Sequence, residues 1–126
     1  YQVQVAPARG YRRTARTNAP TFFLKNVTDG ETEFTANPIV YMTPGTVYIF
    51  DVSEESNAGH PFRFTDDSGT TAFTQGVVAT GTPGSADAKV TFTYPTPARF
   101  PLWYYCQTHG LQMGQRVLPV GRNVAL

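Results

Sequence analysis

Apolar and polar residues alternate along much of this chain with a period of two, in short runs broken by turn residues. In Lys89-Val90-Thr91-Phe92-Thr93-Tyr94 the apolar side chains fall on one parity and Lys and Thr on the other. That is the pattern of an antiparallel strand with one buried face. The same reading predicts strands over Thr21–Asn26, Pro38–Thr43, Thr46–Val52, His60–Thr65, Ala72–Val78, Asp87–Tyr94, Pro101–Cys106 and Gln115–Val120. Asp29-Gly30, Pro44-Gly45, Asp67-Ser68-Gly69 and Pro83-Gly84-Ser85 mark turns between them, because Gly supplies positive φ and Pro presets the first corner. Eight short strands predict an all-β fold, a Greek-key β-sandwich spanning residues 21–126.

Composition supports this class. Eleven Gly, ten Pro, seven Tyr and nine Phe favour strands and tight turns, and 126 residues suffice for one domain with its own core. No run approaches eighteen consecutive apolar residues, so no membrane-spanning helix is expected. The start, Tyr1-Gln2-Val3-Gln4, has neither an initiator Met nor a signal-peptide pattern, as expected of a processed or partial chain. A single cysteine excludes an internal disulfide, a Cys-rich zinc finger and a two-cysteine binuclear copper centre.

Charge is unevenly distributed. Arg9, Arg12, Arg13 and Arg16 give residues 1–20 a charge of +4 with no acid, and since the whole chain carries +1, the remainder carries −3. Residues 1–20 therefore read as a basic extended arm on a mildly acidic domain, able to lie against an acidic neighbour, nucleic acid or an anionic surface. Eight of the nine acids, from Asp29 to Asp67, crowd the first half of the body. The expected use of the arm is a homomeric assembly in which it crosses onto a neighbouring subunit, rather than nucleic-acid binding.

Chemistry concentrates in Tyr104-Tyr105-Cys106-Gln107-Thr108-His109-Gly110-Leu111-Gln112-Met113-Gly114. The only cysteine, one of two histidines and one of two methionines lie here within eight residues. A thiolate, a neutral imidazole and a thioether favour copper, and His60 is the remaining imidazole that would complete a trigonal His₂Cys site with a weak axial Met. Parity assists this reading: His60, Phe62 and Phe64 share one strand face, as do Leu102, Tyr104 and Cys106. If those are inner faces of two packed sheets, His60 and Cys106 converge at one end, with His109 and Met113 supplied by the following loop. Taken singly, Cys106 reads as a buried small hydrophobe, His60 as a hydrogen-bonded strand residue, His109 as a solvated loop residue and Met113 as core filler. Gln112 is the alternative axial ligand, since a glutamine oxygen can take that weak position. Met42 reads as packing, while Trp103 and Tyr105, on the parity opposite to Cys106, read either as an outward-facing protein interface or as a sheet face covered by a loop or the arm itself. There is no Gly-x-Ser-x-Gly, no HExxH and no phosphate-cradling loop, and a copper with all its ligands from protein leaves no open position for substrate. An enzyme is not expected.

Cys106-x-x-His109 followed closely by Met113, with a lone His about forty-five residues upstream in a β-rich chain, resembles the cupredoxins: plastocyanin, pseudoazurin and amicyanin. The resemblance covers roughly Thr21 to Val120. A narrower one is to cupredoxin-like domains in structural proteins of marine bacteriophages. It rests on Gly59-His60-Pro61-Phe62-Arg63-Phe64, Gly81-Thr82-Pro83-Gly84-Ser85 and Tyr104-Tyr105-Cys106-Gln107-Thr108-His109. Together these imply one copper ion held by His60, Cys106, His109 and Met113, cycling between Cu(I) and Cu(II). They imply a structural or interaction subunit of a viral particle or repeating surface assembly, extracellular or virion-associated. The alternative is a free blue-copper electron carrier with a redox protein partner, located in the periplasm. Two departures stand out. Three residues separate His109 from Met113, where plastocyanin has four and amicyanin and the phage-type domains have two, so both Met113 and Gln112 stay candidates for the axial position. Pro61 follows the upstream His where plastocyanin has an Asn that ties the ligand loops together.

Overall fold

In the computed structural model, which describes residues 1–7 and 19–120, the chain forms two mixed β-sheets packed as a sandwich. Ten strands are found among the described residues: β1 Gln2–Pro7, β2 Pro20–Lys25, β3 Thr35–Ala36, β4 Val40–Met42, β5 Val47–Asp51, β6 Phe62–Thr65, β7 Val77–Thr80, β8 Lys89–Thr93, β9 Trp103–Cys106 and β10 Gly110–Pro119. One sheet has the order β3-β2-β1-β5-β8-β7 and the other β4-β10-β9-β6. The chain crosses repeatedly between them. The parallel pairs are β1 with β5 and β10 with β4; every other pairing is antiparallel.

The expected alternation sets the core. Val90 and Phe92 of β8, Phe50 of β5, Phe62 and Phe64 of β6 and Leu102, Tyr104 and Cys106 in and beside β9 are all buried. Aromatic rings from opposite sheets meet across the interior: Phe50 and Phe62 at 4.7 Å between centroids, Phe64 and Phe92 at 4.2 Å. Each such pair adds about 0.5–1.5 kcal/mol beyond the area it buries. Two buried tyrosines place their hydroxyls on main-chain carbonyls, Tyr104 on Pro38 at 2.6 Å and Tyr94 on Arg99 at 2.8 Å. The rings can then be buried without leaving the phenol unpaired.

Several sequence expectations are corrected. The reading of residues 1–20 as an arm fails at its start, because Gln2–Pro7 is strand β1, inside the six-stranded sheet between β2 and β5. Val3 is buried in the core and the Tyr1 ring stacks on Phe50 at 5.1 Å. Gln2-Val3-Gln4-Val5 does carry the period-two signal, but the arginines that follow outweigh it in a reading by composition. Residues 8–18, which carry all four arginines of the expected arm, lie outside the described residues. The strand predicted over Ala72–Val78 begins only at Val77, since Gly76 takes φ +76° and the Val77 N–H closes a turn onto Thr74 O. Phe73 makes a single isolated bridge to Phe64. The last strand starts earlier than expected, at Gly110 instead of Gln115, and contains an irregularity between Gly110 and Gln115. Gly114 permits it: a Cβ there would overlap the Tyr104 carbonyl and stand 2.9 Å from Tyr105 Cα. Of the two outward-parity aromatics, Tyr105 is buried and Trp103 half-buried.

Candidate metal centre

Three local structures deliver the three donors. Cys106 is the last residue of β9, paired with Phe62 of β6 on one side and Gly110 of β10 on the other, and its thiol is fully buried. Strand parity puts it on the same inner face as Tyr104 and Leu102.

His60 lies two residues ahead of β6, so the expectation that it opens the strand is corrected. Pro61 has no N–H for the ladder, which stops the strand at Phe62. What holds His60 is the preceding single turn, Glu55–Asn57, capped by the Glu54 carboxylate accepting from Ser56 N–H at 2.8 Å. The buried Asn57 side-chain amide donates to Val3 O at 2.8 Å and Glu54 O at 3.0 Å, and its main-chain carbonyl accepts from His60 N–H at 2.9 Å. Val5 N–H donates to Ser56 Oγ at 2.9 Å. The histidine loop is thereby fastened to β1. From the other side the Thr82–Ser85 turn presses against it, with Gly84 so close to Ala58 that a Cβ would lie 2.8 Å from Ala58 N.

His109 is exposed and ends the three-residue connection Gln107-Thr108-His109 between β9 and β10. Gln107 N–H donates to Pro61 O at 3.0 Å. The two ligand loops are therefore joined through the main chain, where the resemblance would supply an Asn side chain.

The donors converge. His109 Nδ1 stands 3.4 Å from Cys106 Sγ, His60 Nδ1 3.8 Å from the same sulfur, and the two Nδ1 atoms 3.2 Å from each other. A triangle with these sides has a circumscribed radius of about 2.0 Å, the product of the sides over four times the area, which matches metal–imidazole bonds of about 2.0–2.1 Å and approaches metal–thiolate bonds of about 2.3 Å. The two rings lie 4.8 Å apart, inclined by 32°. Burial, then the neighbouring His109, holds the His60 pKa below its usual value, which favours the neutral imidazole that a metal requires. Among the described residues no carboxylate joins the cluster, and residues 8–18 and 121–126 contain no His, Cys, Asp or Glu.

Three of the four expected ligands are thus brought together. Met113 is on β10, fully buried in the same core cluster as Cys106 and Phe62, with its carbonyl accepting from Thr21 Oγ1 at 3.3 Å. Gln112 is exposed. Sequence reading misses Asn57 and Gly84 as supports of His60. The Gly81-to-Ser85 segment is a signal for the second, whereas nothing marks Asn57.

The fold and this cluster define an all-β sandwich with a His-Cys-His group able to hold a metal ion. No family model, curated protein or solved structure gives a match to this chain.

Proposed function

We propose that this chain is a cupredoxin-like copper module that holds one ion through His60 Nδ1, Cys106 Sγ and His109 Nδ1, with Met113 as a weak fourth ligand. The observation that carries the reading is the spacing of those three donors, 3.2 to 3.8 Å apart around a common centre. One soft thiolate and two imidazoles without a carboxylate favour copper over zinc or non-haem iron. Bound there, copper supplies one-electron exchange between Cu(I) and Cu(II).

The biological role we assign is a structural or interaction subunit of a repeating assembly, such as a viral particle, in which copper acts as a clip between His60, Cys106 and His109. Separation of the four arginines of residues 8–18 from a body rich in acids supports this. A second reading, a diffusing electron carrier, is favoured by the exposure of His109, which puts a metal-facing imidazole at the surface.

Loading with Cu(II) is expected to give an intense thiolate-to-copper band in the visible that Cys106→Ser abolishes. A tetragonal Cu(II) spectrum without that band, or a band surviving the substitution, would reject the assignment. Sedimentation of the loaded chain separates the roles: concentration-dependent assembly supports the subunit, whereas a monomer at all concentrations favours the carrier.

A further inference from the structure

The described surface is not uniform. At the end of the sandwich where β5 begins and β2 ends lies an open groove of about 700 Å³. Its apolar wall includes Ile39, Tyr41, Val47 and Ile49, each close to half exposed. Contiguous exposed apolar surface of this kind commonly marks an interaction site. Asp29, Glu31 and Asp51 line the groove too, against a single cation, the Tyr1 terminal ammonium, and no Lys or Arg among its lining residues. The one ion pair between side chains among the described residues, Arg99 with Asp66, does not involve any of the three. The groove is acidic and apolar together, and its natural occupant is basic with apolar or aromatic side chains.

This chain contains such a segment. Residues 8–18 read Ala-Arg-Gly-Tyr-Arg-Arg-Thr-Ala-Arg-Thr-Asn, with four arginines, one tyrosine and no acid. The segment leaves β1 after Pro7 and rejoins β2 near Pro20, residues that face each other at one end of the β1–β2 pair. The groove lies at the other end, beside Tyr1, Gln2 and Asn26. Gln2 and Pro7 are five residues apart, about 17 Å along a strand. To enter its own groove the segment would have to double back along β1 and β2, while a neighbour placed end to end presents its groove directly.

We propose that the groove between β5 and the β2–β3 connection receives residues 8–18 of a second copy of this chain, arginines against Asp29, Glu31 and Asp51. The contact joins unlike surfaces, so it is head-to-tail and repeats until it closes into a ring or extends. This rests on the assembly role proposed above and names its interface.

The test uses the full chain in sedimentation velocity at about 0.05 M and about 0.5 M salt, where screening lengths differ several-fold. Intact protein is expected to self-associate at low salt and to dissociate at high salt. Arg12→Glu with Arg13→Glu, and separately Ile49→Lys, should each raise the dissociation constant at least about tenfold, with near-UV circular dichroism unchanged. Ile49 projects outward from β5, so a lysine there puts a cation in the groove without entering the core. A synthetic peptide of residues 8–18 should bind the Arg12→Glu/Arg13→Glu protein, perturbing the NMR signals of Tyr41 and Tyr48. It should fail to bind once Ile49→Lys is added. Self-association that persists unchanged in Ile49→Lys, or a peptide indifferent to that change, overturns the groove while leaving the assembly role standing. A chain monomeric at low salt and high concentration overturns both.

Discussion

Substituting alanine for Gly84 should weaken metal binding without touching a ligand. Gly84 has φ +85°, and a Cβ there would lie 2.8 Å from Ala58 N, 2.9 Å from Ala58 Cβ and 3.0 Å from Ala58 Cα. Ordinary contact begins near 3.4 Å, so the two segments must part by about 0.6 Å. Gly84 is held in place by its N–H donating to Val52 O at 2.9 Å, and Ala58 lies two residues before His60. A shift of that size carried to His60 exceeds the roughly 0.2 Å within which metal–ligand distances are normally kept. Loss of a supporting contact around a ligand typically lowers affinity about 10- to 100-fold, or about 1.4–2.8 kcal/mol. Left-handed backbone costs a non-glycine residue a further ~1–2 kcal/mol in fold stability. Gly30→Ala separates the two effects, because Gly30 has φ +80° with nothing within 4 Å of the place a Cβ would take, and so incurs the strain alone. Copper affinity measured by competition with a chelator, alongside melting of the metal-free proteins, should show both variants destabilised and only Gly84→Ala impaired in binding. Equal affinities in the two variants would refute the view that the Thr82–Ser85 turn positions His60.

Three further outcomes can be measured. Met113→Gln should lower the reduction potential and shift the visible spectrum, whereas Gln112→Ala should leave both nearly unchanged; the reverse pattern would assign the axial position to Gln112. The His60 pKa is held below its usual 6.5 mainly by burial and then by His109, so below pH 6.5 the unfolded chain binds more protons than the native one. Melting of the metal-free chain should therefore be level above pH 6.5 with respect to this group and fall as the pH drops towards the folded pKa, and His60→Gln should flatten that fall. Gly114→Ala forces a methyl into the Tyr104 carbonyl at the β9–β10 irregularity and should cost about 1–3 kcal/mol or more in a denaturant titration; an unaffected midpoint would mean that β10 shifts freely past β9.

Most of the sandwich is legible in the sequence because it rests on alternation, and alternation is local. Phe62, Phe64, Val90, Phe92, Leu102, Tyr104 and Cys106 all face inward as their parity demands. The His60-Cys106-His109 group is legible for a different reason. With one cysteine and two histidines available, there is only one way to assemble a His₂Cys group. What stays hidden depends on partners distant in sequence. The four alternating residues Gln2-Val3-Gln4-Val5 are too short a signal to outweigh the arginines that follow, and what makes them β1 is pairing in register with Pro20–Lys25 and contact with β5 at Asp51. Asn57 looks like any loop asparagine until its amide meets Val3 O, 54 positions away. The irregular stretch of β10 reads as loop because a strand with a bulge loses its strict period of two, and Gly114 in that stretch reads as a breaker.

Position 61 joins two loops without using a side chain. Proline has no N–H to add to the ladder ahead of β6 and no polar side chain to bridge the loops. Its carbonyl remains, and Gln107 N–H donates to it at 3.0 Å. The same proline ends the ladder early enough to leave His60 outside the strand, where Asn57 can hold its N–H and Gly84 can press on Ala58. Cys106, by contrast, is held by strand pairing on both sides and by the aromatic core beneath it. The spacing of the three donors is thus set by β1, β6, β9 and a glycine turn. An ion entering the group would meet a buried sulfur set in strand pairing and two imidazoles on short loops fastened by main-chain hydrogen bonds, an arrangement that would leave little chain ordering to oppose binding.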